Sequence, residues 1–152
     1  MSHRVAFAFL AFLACAAVAA RAHDHGPPGV EIVEAWAPAT AQGQDQQLVY
    51  LTIRNRAAGP DRLFRAVSPV AAKVEIHGAA HDGEPKPVAD LAIGAGANLV
   101  LDPAGPHLAL LGLKRVLLEK QTFKLALEFD AAGRIVIDVT VGPPNPNQPH
   151  HH

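Results

Sequence analysis

The chain has 152 residues, with 13 Lys and Arg against 14 Asp and Glu, so its formal net charge is only −1. That excludes the strongly basic field by which a protein gathers nucleic acid. Sulfur is nearly absent, with Met1 the one methionine and Cys15 the one cysteine, while histidine appears nine times.

The first element in chain order is an export signal. Arg4 supplies a positive charge, the run from Val5 to Ala20 is almost wholly apolar, and Ala20-Arg21-Ala22 has the small-residue form of a cleavage site. Cleavage is expected between Ala22 and His23, giving a signal peptide at 1–22 and a periplasmic product. The apolar run is short for a membrane span of about 20 residues, and no basic stop-transfer cluster follows it. An alternative is lipoprotein processing at Phe12-Leu13-Ala14-Cys15, which would retain a lipidated Cys15. Removing 22 of the 152 residues leaves 130, enough for one domain with a sizeable core. Arg4 and Arg21 leave with the signal and no acid does, which takes the net charge from −1 to −3. The mature chain then holds no sulfur. Disulfides, Cys-x-x-Cys redox chemistry, thiolate zinc and blue-copper sites, the last needing a cysteine ligand, are excluded on that cleavage.

After a leader at 23–29, segments alternate apolar and polar residues with period two, as strands with one buried face do. In order they are Val30 to Ala37, Gln47 to Asn55, Leu63 to Ser68, Lys73 to His77, Val88 to Ile93, Asn98 to Leu101 and His107 to Leu113. The clearest two follow, Phe123 to Phe129 and Ile135 to Val141, with Asp130-Ala131-Ala132-Gly133 between them as a hairpin turn. Nine short strands broken by Gly, Pro and Asp predict an all-β, two-sheet Greek-key β-sandwich over 30–141. No long amphipathic helix is expected. Residues 142–152 are rich in Pro, Asn and His and read as a tail outside the core.

Histidine is the metal-binding side chain in supply, and it falls into three groups. After cleavage His23 carries the free α-amine, which with its own imidazole and that of His25 can form a nitrogen-only brace for Cu(II). A histidine at mature position three, His25, also allows a square-planar site from the amine, two backbone amides and one imidazole. Either arrangement competes with a plain mobile terminus. The second group, His77, His81 and His107, lies at strand ends or in loops, where a lone histidine is more often structural than a ligand. The group gains weight only if the fold gathers it on one rim. The third, His150, His151 and His152, fits a weak metal scavenger or an expression tag equally well. Trp36 is expected to pack at the core or its rim. Asp24 fits a solvated acid or a hydrogen-bond acceptor for a ligating imidazole.

Four stretches together resemble the PCu(A)C-type periplasmic copper chaperones: Glu34 to Thr40, Tyr50 to Asn55, Ser68 to His77, and His107 to Leu113. The resemblance runs from about Val30 to Val141. It implies a cupredoxin-like sandwich that binds Cu(I) through two histidines and two methionines and delivers it toward the copper site of cytochrome oxidase. His77 and His107 match the two histidines. The methionine positions hold Pro85 and Ala109, whose side chains cannot ligate a metal. Losing soft thioethers while gaining terminal nitrogen donors shifts the expected preference from Cu(I) to Cu(II).

The expectation is therefore a copper chaperone or carrier, not an enzyme, with His23, His25, His77 and His107 as metal ligands and a membrane cuproenzyme as recipient. The leader site ranks above the family pair in this reading: one residue added before His23 should weaken Cu(II) binding sharply, and losing His77 and His107 should weaken it less. The seven-residue leader can reach about 23 Å at roughly 3.3 Å per residue, so the two groups could also cooperate. Missing methionines favour a rival, an assembly module that has lost the metal. A copper enzyme using the histidine brace for oxidative chemistry ranks last, because the one tyrosine, Tyr50, lies mid-strand and no substrate signature is legible.

Overall fold

The computed structural model describes residues 29–80 and 83–144. The expected signal peptide, the leader histidines His23 and His25, Asp24, His81 and His150, His151 and His152 lie outside the described residues. Within them the chain forms nine strands and no helix: β1 Val30–Pro38, β2 Gln46–Asn55, β3 Asp61–Val67, β4 Ala71–His77, β5 Leu91–Ile93, β6 Asn98–Leu101, β7 His107–Leu113, β8 Thr122–Phe129 and β9 Gly133–Gly142. The described chain is all-β, as expected.

Alternation sets the inner faces. Phe123, Leu125, Leu127 and Phe129 of β8 are buried, and so are Val139 and Val141 of β9, while Lys124, Asp138 and Thr140 between them are exposed. The strands run in the order β4-β7-β2-β1-β9-β8-β3-β5. β2 is long enough to serve two partners on one edge, pairing with β7 over its first half and with β6 over its second. β3 and β4 are far apart in that order, yet only the Ser68-Pro69-Val70 turn separates them in sequence. The turn carries the chain from one layer to the other and folds the sheet into a sandwich. Its interior is Leu51, Ile53, Leu63, Leu108, Leu110 and Leu125, with the residues packed around them.

One expected strand is corrected. Val88 to Ile93 is not continuous: Pro87 bridges to His77, the Val88 N–H donates to the Ile76 carbonyl, and only Leu91–Ile93 pairs with β3. The segment changes layers between those contacts, and Pro87 has no N–H with which to extend a ladder along β4. The β8–β9 hairpin forms as expected, with Gly133 at φ +75°, a backbone state that suits glycine.

That hairpin is tied down from β3. The Asp61 carboxylate accepts the N–H groups of Arg62 at 2.7 Å, Ala131 at 2.9 Å and Ala132 at 2.9 Å. Burial alone would push this carboxyl up, but the backbone N–H groups outweigh it and hold Asp61 below its ordinary value. Its contribution to stability is complete above the unfolded-state value of about 3.9 and fades as pH falls through the lower folded value. Asp61→Asn keeps the shape but offers one acceptor oxygen instead of two. It should cost about 1–2 kcal/mol at neutral pH, read by denaturant unfolding, and the difference from the parent should shrink in acid.

Candidate metal centre

β4 and β7 pair antiparallel with Lys73 opposite Leu111, Glu75 opposite Ala109 and His77 opposite His107. Side chains alternate across a strand, so these six share one face, while Val74, Ile76, Leu108 and Leu110 serve the core. The two histidines thus meet as a cross-strand pair at the end of the β4–β7 ladder. Their ring centroids are 5.1 Å apart and the rings are tilted by 44°. The spacing allows one ion to take a nitrogen from each ring, given a metal–imidazole bond of about 2.0 Å.

Each ring has a definite hydrogen-bond partner. His77 Nε2 lies 3.0 Å from Glu75 Oε2, and the other carboxylate oxygen accepts from Lys73 Nζ at 2.6 Å. Lys73 first and His77 second hold the Glu75 carboxyl below its ordinary value. His107 Nδ1 lies 3.1 Å from the Gly105 carbonyl. That carbonyl belongs to a turn in which Asp102 Oδ1 accepts the N–H groups of Ala104 at 2.9 Å and Gly105 at 2.7 Å. His107 is 5% exposed. Burial pushes its pKa down, the Gly105 hydrogen bond pushes up, the neighbouring His77 pushes down and Asp102 pushes up, with a net lowering. The net effect favours the neutral imidazole, the form that binds metal.

Of the four expected ligands, the structure brings His77 and His107 together, and His23 and His25 fall outside the described residues. The two positions that the resemblance assigns to methionine lie apart in kind. Ala109 is buried beside the pair on β7, directly across from Glu75, and Pro85 is half-buried in the loop after β4. Among the described residues no three His, Cys, Asp or Glu side chains form a group able to hold a metal ion. Sequence reasoning missed Glu75 and the Asp102 turn. The signal for Glu75 was present, since a residue two before His77 on a strand must share its face. Trp36 packs on Tyr50 at 5.1 Å between centroids and stays 39% exposed, a rim position as expected.

Comparison with known proteins agrees with this architecture. Residues 30–141 match the family model described as "Putative lipoprotein LpqE-like". A description as lipoproteins accords with an exported protein. No curated protein sequence matches the chain significantly. Among solved structures, the apo PCuAC domain from PmoF1 superposes with a TM-score of 0.69 at 26% identity, covering 76% of this chain and 95% of that one. The Cu(I) form of DR1885 from Deinococcus radiodurans gives 0.65 at 27% identity, covering 82% and 85%. The copper-bound PCuAC domain from PmoF2 gives 0.67 at 22% identity, covering 76% and 94%, a likeness of fold. Two of these structures, the PmoF2 domain and DR1885, are described with copper bound. With its fold, its paired histidines and the match over 30–141 taken together, the chain belongs to the LpqE-like, PCuAC family.

Proposed function

We propose that this protein is a periplasmic copper carrier that holds Cu(II) through nitrogen ligands and passes it to a membrane cuproenzyme such as cytochrome oxidase. The observation that carries this reading is the cross-strand pairing of His77 with His107, with rings 5.1 Å apart. Two imidazoles fixed by a β-ladder lose little freedom on binding, so the pair forms the core of the site. His23 and His25, with the α-amine exposed by cleavage after Ala22, supply the further nitrogens that Cu(II) needs. The sequence alone ranks the leader first, and the pairing reverses that order in our reading. Ala109 and Pro85 in place of thioethers remove the soft donors that favour Cu(I).

A second reading, a module that has lost its metal, is favoured by the absence, among the described residues, of any group of three His, Cys, Asp or Glu side chains arranged to hold a metal ion. One experiment separates them. Mature protein with an authentic N-terminus at His23, loaded with copper and desalted, should retain about one Cu(II) with nitrogen hyperfine structure in electron paramagnetic resonance. Loss of all copper on desalting would establish the metal-free module.

A further inference from the structure

Both imidazoles of the pair are held by groups that can accept but not donate. The ionised Glu75 carboxylate carries no proton, so the contact with His77 Nε2 requires Nε2–H to donate, and the lone pair of the neutral ring then sits on Nδ1. A backbone carbonyl likewise only accepts, so His107 Nδ1–H donates to Gly105 and the lone pair of that ring sits on Nε2. We infer that the pair is preset in opposite tautomers, offering His77 Nδ1 and His107 Nε2 to one ion, with Glu75 as the positioning residue for His77 and the Asp102 turn as the positioning element for His107.

Two further features fit this assignment. Lys73 occupies the second oxygen of Glu75, which leaves the first directed at His77. The Asp102 turn is closed by the N–H groups of Ala104 and Gly105 on its carboxylate and by the Asp102 N–H on the Pro106 carbonyl at 3.0 Å. The Gly105 carbonyl is therefore fixed before any metal arrives. A ligand ring whose tautomer and orientation are fixed in advance need not rearrange on binding, and removing such an outer partner typically weakens metal affinity 10- to 100-fold. Glu75 also stands across from Ala109, where the family resemblance places a thioether.

The inference rests on the copper reading above, and the test keeps the two apart. Long-range proton–nitrogen spectra of metal-free protein labelled at histidine, taken at neutral pH, should show His77 as the Nε2–H tautomer and His107 as the Nδ1–H tautomer. In Glu75→Gln the amide presents an N–H to Nε2 as readily as a carbonyl. His77 should then become a mixture of tautomers, His107 should stay unchanged, and copper affinity should fall about 10-fold with the thermal midpoint preserved. In wild type loaded with diamagnetic Cu(I), the nitrogen shifts should move at His77 Nδ1 and His107 Nε2. Wild-type His77 found as the Nδ1–H tautomer, or Glu75→Gln with tautomer and affinity both unaltered, overturns the positioning role. Copper-induced shifts confined to His23 and His25 overturn the ligand assignment while leaving a copper carrier in place, whereas a protein that retains no copper overturns the copper reading itself, whatever tautomers the metal-free protein shows.

Discussion

Changing His77 and His107 together to alanine should weaken Cu(II) binding by at least about 100-fold in a titration against a competing chelator, beyond what loss of a single outer partner produces. The two rings are cross-strand neighbours at the end of β4 and β7, and each is oriented by its own acceptor, Glu75 or Gly105. The core residues Ile76 and Leu108 are retained, but His107 is itself buried and its ring holds the Gly105 carbonyl, so the thermal midpoint should fall moderately while the protein stays folded at the temperature of the titration. A parallel protein with one residue added before His23 converts the α-amine to an amide and removes one nitrogen donor. It should lose affinity too, but less than the double variant. An extended protein that loses more than the double variant would place the principal site on the leader.

Asn55→Ala should be the most destabilising single polar change, at about 3 kcal/mol in chemical unfolding. Asn55 is 2% exposed at the end of β2. Its Nδ2 donates to the carbonyls of Gly59 at 2.9 Å, Gly94 at 3.1 Å and Ile93 at 3.2 Å, and its Oδ1 accepts from the Ala57 N–H at 3.0 Å. One side chain thus links the loop after β2 to the end of β5. Truncation strands several buried backbone groups at once, whose desolvation is no longer offset by a hydrogen bond. Asn55→Asp keeps the acceptor but turns a donor into a charge facing three carbonyls, so it should fare no better. A loss below about 1 kcal/mol for Asn55→Ala would mean that water replaces these contacts.

The two-layer β architecture was legible because a half-buried strand must alternate, and Phe123 to Phe129 and Ile135 to Val141 carry a large apolar residue at every second position. Where the pattern misled, at Val88 to Ile93, the cause was a change of partner that no local periodicity records. The pairing of His77 with His107 depends on the register of strands far apart in sequence, which composition and spacing do not encode. Only the resemblance carried it. Glu75 was overlooked because a Lys-x-Glu-x-His strand reads equally well as a solvated face, and only the ladder reveals that His107 and Ala109 stand opposite. The Asp102 turn escaped for a similar reason: the carbonyl it fixes belongs to glycine, whose role is invisible without geometry.

Whether copper sits between the two paired imidazoles is decided by a crystal of the copper-loaded mature protein and an anomalous difference map at the copper edge. One strong peak is expected within about 2.0–2.1 Å of a nitrogen from each of His77 and His107. A peak bound to the leader histidines, with His77 and His107 still facing only Glu75 and Gly105, would mean that the pair is not the copper site.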